Sequence, residues 1–332
     1  MAENRIVLVT DIAWQSTEPE EKVLAEVGAK LVLAQTGCEE ELLRLVPDAD
    51  AILTNWKQVP ASVVRAGDKL QVISRYGIGV DNIAVAEATR LGILVTNVPV
   101  YCLDEVSEHT LALVLVCARK VCQYNTSVHA GEWSVSSHGP LLRIRGKTLG
   151  IIGFGNIART LAPKLKAFGL QILVFDPFVD DETVGSYGCS KAGLEDLLGN
   201  SDFVTIHAPL TDTTRGLLNA QQLHRMKPTA FLINTSRGAI VDPTALVQAL
   251  SQGWIAGAAL DVFTPEPLPV EHPLLSLTNV ILTPHVSFYS EESLMDLEIQ
   301  AAQNVAAIFS GRRPSAVVNP EILALPRWAH LR

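Results

Sequence analysis

Short apolar runs alternate along the chain with stretches whose apolar positions recur every three to four residues. Arg5–Thr10, Lys30–Gln35, Ala51–Asn55, Gln71–Arg75 and Ile93–Asn97 are brief and almost continuously apolar, as strands buried on both faces must be. Pro19–Val27, Glu39–Val46 and Ile83–Leu91 carry the helical period between them, and Gly28, Gly67 and Gly92 stand where helices should stop. This rhythm predicts parallel strands joined by crossover helices, with helices on both faces of the sheet.

A second series starts after Gly146. Thr148–Phe154, Gln171–Asp176, Asp202–Ala208, Ala230–Thr235, Ile255–Val262 and Val280–Thr283 read as six strands, the number in a complete dinucleotide-binding sheet. Between the two series, Asp104–Val121 predicts a helix with an apolar centre, either a core or an interface element. Gln123–Lys147 has no regular period and contains Trp133; it reads as an arm crossing a dimer or as a packed surface loop. A final helix, about Ser290 to Phe309, precedes a turn-rich tail, Gly311–Pro320, that should return to the first domain. The expected organisation is α/β with two doubly wound parallel-sheet domains: residues 1–100 with 287–332, and residues 101–286. The crossings should lie near Tyr101 and Phe288. The domains share a rhythm but no repeated sequence.

A chain of 332 residues exceeds one ordinary core and fits two domains. With 48% hydrophobic and 18% charged residues it should be globular. Its net charge of −9 argues against general nucleic-acid binding, which needs clustered Lys and Arg. No run approaches the ~20 apolar residues of a membrane span. The beginning, MAENRIVLVT, lacks the basic start and cleavage site of a signal peptide, so a cytoplasmic location is expected. The five cysteines have no metal-ligand spacing and are expected to be reduced packing residues, with no metal.

The first strand of the second series runs into Gly153-Phe154-Gly155-Asn156-Ile157-Ala158, a GxGxxA turn opening a helix. Gly153 permits the tight turn, Gly155 lets the backbone approach a pyrophosphate, and Ala158 allows close helix–strand packing. The helix start, at Asn156 and Ile157, offers N–H groups to phosphate oxygens. Asp176, 23 positions after Gly153, is placed to accept from both ribose hydroxyls and to repel a 2′-phosphate, which favours NAD over NADP. Tyr187 and Lys191 have the spacing of a short-chain dehydrogenase pair, but they lie in a glycine-flanked stretch rather than a long helix, and the match is read as chance.

Three later segments carry chemistry. Asn234-Thr235-Ser236-Arg237-Gly238 puts a basic residue at a strand end; Thr264-Pro265-Glu266-Pro267 holds a carboxylate between prolines; Thr283-Pro284-His285 ends the last strand. All follow carboxyl ends of strands, where open α/β sheets bind ligands. An arginine can grip a planar carboxylate and polarise the adjacent carbonyl. A histidine can supply a proton near neutral pH, and a neighbouring glutamate orients it and favours its charged form. The set Arg237, Glu266 and His285 therefore points to reduction of a 2-keto acid.

At these residues the chain closely resembles the D-isomer-specific 2-hydroxyacid dehydrogenase family. The likeness covers nearly the whole chain: Arg75-Tyr76-Gly77-Ile78-Gly79-Val80-Asp81-Asn82, Asn97-Val98-Pro99, Glu108-His109-Thr110, the fingerprint, Asn234–Asp242, Gly257–Val262 and Thr283–His285. It implies a flavodoxin-like substrate domain and a Rossmann NAD domain closing over a cleft. Arg237, Glu266 and His285 match the family's catalytic residues and Asp261 its nicotinamide-contacting Asp. Ala208, Pro209 and Thr235 join Gly153, Gly155, Asn156, Ile157 and Asp176 in the expected cofactor set. The Gly77-Ile78-Gly79 loop matches the backbone cradle for the substrate carboxylate; Tyr76, Tyr101, Arg237 and Phe288 complete the expected substrate set. A homodimer through the Asp104–Val121 helix and the following arm is also implied.

His285–Tyr289 and Val98–Tyr101 look like D-lactate dehydrogenases; Arg143–Lys147 and Tyr289–Pro314 look more like the C-terminal-binding proteins, NAD(H)-sensing corepressors. The expected function is reduction of a small pyruvate-, glyoxylate- or hydroxypyruvate-like acid by NADH, with a modest, uncharged tail near Phe288. The alternative is a corepressor-like scaffold with little turnover. The chain ends about twenty residues after Gly311, which leaves little room for partner motifs and favours the enzyme.

Overall fold

The computed structural model describes residues 5–141 and 143–332. The chain divides into two compact units, Met1–Tyr101 with Ser290–Arg332, and Cys102–Tyr289. In each, short buried runs form parallel strands and the periodic stretches between them form helices.

In the first unit β1 (Arg5–Val9), β2 (Ala29–Leu33), β3 (Ala51–Thr54), β4 (Val72–Arg75) and β5 (Leu94–Thr96) form one sheet in the order β2-β1-β3-β4-β5. Every pairing is parallel. This is the flavodoxin-like order. β3, β4 and β5 are buried along their whole length because helices cover both faces. The C-terminal helix Glu291–Phe309 supplies one cover. It starts at a reciprocal cap in which Ser290 and Ser293 each accept the other's backbone N–H at 2.9 Å, and it buries Leu297, Ala301, Val305 and Ile308 against the sheet's core. The tail then returns to the sheet edge. The Val318 N–H donates to Val95 O at 2.8 Å, and Asn319 Oδ1 accepts the Val95 N–H at 2.9 Å.

The second unit holds β6 (Thr148–Ile152), β7 (Gln171–Phe175), β8 (Ser190–Lys191), β9 (Phe203–Ile206), β10 (Phe231–Asn234), β11 (Gly257–Leu260) and β12 (Val280–Leu282). Their order is β12-β11-β10-β9-β6-β7-β8, again all parallel. This is a Rossmann sheet whose strand order reverses between β6 and β9. Helix Leu103–Arg119 buries Val106, Thr110, Leu113, Val114 and Cys117. It packs beside helix Asn156–Ala167, whose buried face is Ala158, Leu161, Ala162 and Leu165.

Two sequence expectations change here. The second sheet has seven strands rather than six, because β8 adds a two-residue edge strand beside β7. Two exposed residues carry no readable period. Lys191 lies in that strand, and its ammonium donates to Val179 O at 2.6 Å. The segment after Arg119 is not wholly aperiodic: Lys120 turns left-handed (φ 52°) and a second helix follows, Val121–His129. Only Ser127 of that helix is buried, so its sequence carries little apolar signal. The short helix Ala61–Ala66 ends directly before Gly67, where the sequence placed a helix stop.

Candidate functional site

In the second unit six strands end in register. Phe175, Ile152, Ile206, Asn234, Leu260 and Leu282 are paired neighbours across β7, β6, β9, β10, β11 and β12. The residues that follow them are Asp176, Gly153, His207, Thr235, Asp261 and Thr283. One sheet edge thus gathers segments spread over more than a hundred positions of sequence, and the switch point between β6 and β9 lies within it.

Gly153 sits at that switch point with φ 88°, and a Cβ there would lie 2.6 Å from the Ala208 backbone nitrogen. Both the turn and the approach of the His207–Ala208 backbone demand glycine. Around Gly155 the situation is opposite: nothing lies within 4 Å of an added Cβ, and the residue leads into a helix with no side-chain cap. That combination of open space and unsatisfied first-turn N–H groups suits a pyrophosphate. Asp176 accepts the Phe154 N–H at 2.7 Å on one oxygen and the Phe178 N–H at 2.8 Å on the other. Each oxygen keeps a further lone pair for a ribose hydroxyl. Asn156 and Pro209 are exposed, Ile157 is half-buried, and Ala208 and Thr235 are buried beside the row.

His285 and Glu266 meet directly, with Nδ1 to Oε2 at 2.8 Å and side chains 24% and 34% exposed. The other Glu266 oxygen accepts the Phe263 N–H at 2.5 Å. The Thr264-Pro265 and Glu266-Pro267 bonds are both cis. His285 has φ 54°, and its N–H donates to Asp261 O at 2.8 Å. Next to Arg237, a Cβ on Gly238 would overlap the Phe263 carbonyl, so the turn after Arg237 packs on the start of the Glu266 loop; the Arg237 guanidinium donates to Ser236 O at 2.9 Å. The Phe288 ring stands edge-on to His285, centroids 6.3 Å apart.

Asp261, expected to face the nicotinamide, is fully buried. Its carboxylate accepts the Thr283 hydroxyl at 2.5 Å and the Val286 and Ser287 N–H groups at 2.9 Å each. Its side chain is committed to the 283–287 turn, because that turn needs an acceptor for two consecutive N–H groups.

In the first unit, β4 ends in the loop Tyr76-Gly77-Ile78-Gly79. The Val98 N–H donates to Gly77 O at 3.0 Å and the Asn97 amide to Ile78 O at 2.7 Å. Among the described residues the Ile78 and Gly79 N–H groups have no partner, which suits a carboxylate. Tyr76 departs from its expected role as a substrate contact. Its ring is 1% exposed, lies in the core, and gives its hydroxyl to Glu20 at 3.0 Å. Only its backbone is left for a ligand. Tyr101 is half-buried against the same core.

The family profile described as "D-isomer specific 2-hydroxyacid dehydrogenase, NAD binding domain" matches residues 111–287. The chain belongs to the D-isomer-specific 2-hydroxyacid dehydrogenase family. This 2-hydroxyacid dehydrogenase is 40% identical to the glyoxylate reductase of Korarchaeum cryptofilum over 286 residues, 85% of this chain and 86% of the relative. It is 42% identical to the glyoxylate reductase of Thermofilum pendens over 290 residues, 86% and 85% of the two chains. The structure of a glyoxylate reductase from Paecilomyes thermophila superposes with a TM-score of 0.87 at 26% identity, covering 96% of this chain and 99% of the other. The dehydrogenase is thus an oxidoreductase that uses NAD and acts on 2-hydroxy acids. Among its described residues no helix is long and apolar enough to cross a membrane, and no group of three His, Cys, Asp or Glu residues could hold a metal.

Sequence reasoning passed over two features of this 2-hydroxyacid dehydrogenase. One is the closeness of Gly238 to Phe263, signalled only by a glycine directly after Arg237. The other is the reach of His109 and Thr110 to the same sheet edge, where His109 Nε2 lies 3.2 Å from Thr283 Oγ1 and Thr110 Oγ1 lies 3.0 Å from Thr235 Oγ1.

Proposed function

We propose that this dehydrogenase reduces glyoxylate or a similarly small 2-keto acid, with His285 as the proton donor. The observation that carries this reading is the 2.8 Å contact between His285 Nδ1 and Glu266 Oε2. A carboxylate accepts only, so His285 is held with a proton on Nδ1 and its Nε2 directed away from Glu266. When bound, NADH supplies the hydride. His285 then delivers the proton to the carbonyl oxygen, and Glu266 stabilises the imidazole's orientation. Arg237 grips the substrate carboxylate and polarises the reacting carbonyl. In the first unit the Ile78 and Gly79 N–H groups are suited to a carboxylate, while the Gly77 N–H is given to Arg75 O at 3.0 Å; this supports reading the first unit as the substrate domain. In the second unit Phe288, beside His285, is suited to contact the substrate's tail.

The relatives' names support glyoxylate, and the aromatic Phe288 beside His285 supports a small uncharged tail. Gly155, the helix start at Asn156 and Ile157, Asp176, Ala208, Pro209 and Thr235 form the proposed cofactor surface, and Asp176 favours NAD over NADP. We include a cytoplasmic homodimer in the same reading. Its support is the set of five free cysteines and the exposure of Trp133 (89%) and Val135 (92%) after helix Val121–His129.

The test is NADH oxidation with a panel of 2-keto acids. Turnover with glyoxylate, and less with acids bearing long or charged tails, is expected. Absence of turnover with every acid would overturn the reading in favour of a scaffold.

A further inference from the structure

We propose that His109 is a positioning residue for the turn that carries His285, acting through Thr283 and Asp261. The inference rests on the reading of His285 as proton donor. It gives a task to Glu108-His109-Thr110, a motif the proposed reaction leaves without one.

The direction of the hydrogen bonds follows from the acceptor at their end. Asp261 is fully buried and its carboxylate can only accept. The single hydroxyl proton of Thr283 therefore points to Asp261 Oδ1, 2.5 Å away. Towards His109 the Thr283 oxygen can then only accept, so the proton of that 3.2 Å contact sits on His109 Nε2. The chain runs from His109 Nε2–H to Thr283 Oγ1–H to Asp261. The same imidazole nitrogen is 3.8 Å from Asp261 Oδ1.

What Asp261 does with the rest of its capacity gives this chain a purpose. Its carboxylate takes the Val286 and Ser287 N–H groups at 2.9 Å, and its backbone oxygen takes the His285 N–H at 2.8 Å. Three consecutive N–H groups, with His285 first, thus converge on one buried residue. They hold His285 at φ 54°, a conformation that residues bearing a Cβ seldom adopt. Glu266 sets the direction of the imidazole, and Asp261 sets the backbone on which it stands. His109 anchors that support to helix Leu103–Arg119, and Thr110 ties the same helix to Thr235 on a neighbouring strand end.

The test compares His109→Leu, which loses the donor, His109→Asn, whose shorter amide does not reach Thr283, and His109→Gln, whose amide nitrogen takes the place of Nε2. Hydrogen exchange is read first, on the protein without cofactor. Exchange at Val286 and Ser287 should quicken roughly tenfold in the Leu and Asn variants, in keeping with one lost hydrogen bond, and return towards wild type in Gln. Exchange at Ile151 and Val204, deep in the same sheet, should not change. With NADH and glyoxylate, kcat should fall about tenfold in Leu and Asn with KM for NADH unchanged, and recover in Gln. Wild-type exchange at Val286 and Ser287 in Leu and Asn would overturn the proposal. So would equal acceleration at all four amides, which would mean general destabilisation. His285→Ala is the separate control: unchanged kcat there would overturn the proton-donor reading, while the exchange data still decide the relay.

Discussion

Glu266 divides its carboxylate between two partners, His285 Nδ1 at 2.8 Å and the Phe263 N–H at 2.5 Å. The second contact makes the first one stiff. An exposed glutamate would otherwise spread over many rotamers, and the backbone donor fixes the oxygen that faces the imidazole.

Removal of the donor should cost most. His285→Ala is expected to lower kcat for keto-acid reduction by roughly 10² to 10⁴. Because Glu266 acts through His285, the His285→Ala/Glu266→Ala double variant should be no slower than His285→Ala alone. A further loss in the double variant, measured by steady-state kinetics, would show that Glu266 touches the reaction independently.

Two glycines of the same domain should respond in opposite ways to alanine. At Gly238 the new methyl would lie 2.1 Å from the Phe263 carbonyl carbon, so the Arg237 and Glu266 loops must separate. A loss of stability of about 1–3 kcal/mol is expected, with a fall in kcat. At Gly155 nothing lies within 4 Å. Gly155→Ala should keep the wild-type Tm and weaken NADH binding, as thermal unfolding and fluorescence titration would show.

Cofactor preference should follow Asp176. The wild type is expected to use NADH in preference to NADPH, and Asp176→Ala should narrow the gap in kcat/KM. The same substitution removes an acceptor from the Phe154 and Phe178 N–H groups and should cost about 1–3 kcal/mol of stability. A wild type that prefers NADPH would contradict this role.

A pair of carboxylates should govern the pH dependence of the first unit's stability. Burial pushes the Glu298 carboxyl up to about 7, and the nearby Glu20 charge adds to this. Glu20 is itself raised by burial. A raised folded-state pKa means stability that is present at low pH and lost as pH climbs from the ordinary carboxylate range, near 4.5, through about 7. Glu298→Gln should therefore raise Tm more at pH 8 than at pH 5, with each 1 kcal/mol worth about 2–4 °C. Equal effects at both pH values would remove Glu298 as the cause.

The sequence by itself determined whatever depends on neighbours along the chain. Apolar runs such as Ala51–Thr54 and Phe203–Ile206 announce buried strands because each residue in them must avoid water on either face. The order of glycines at 153 and 155, with Asp176 after the next strand, is legible because turn, helix start and acid are tied to one βαβ unit. Arg237, Glu266 and His285 stand out by residue type after strand ends. Only the tertiary structure decided how those ends meet. Asp261 turns inward because the 283–287 turn, 22 positions or more away, brings it donors. Tyr76 is spent on Glu20, 56 positions earlier. Gly238 is required by Phe263, and β8 exists because β7 offers it an edge. Each depends on what stands across the gap between segments, a quantity that local pattern does not carry because side-chain packing and hydrogen-bond satisfaction are settled between elements.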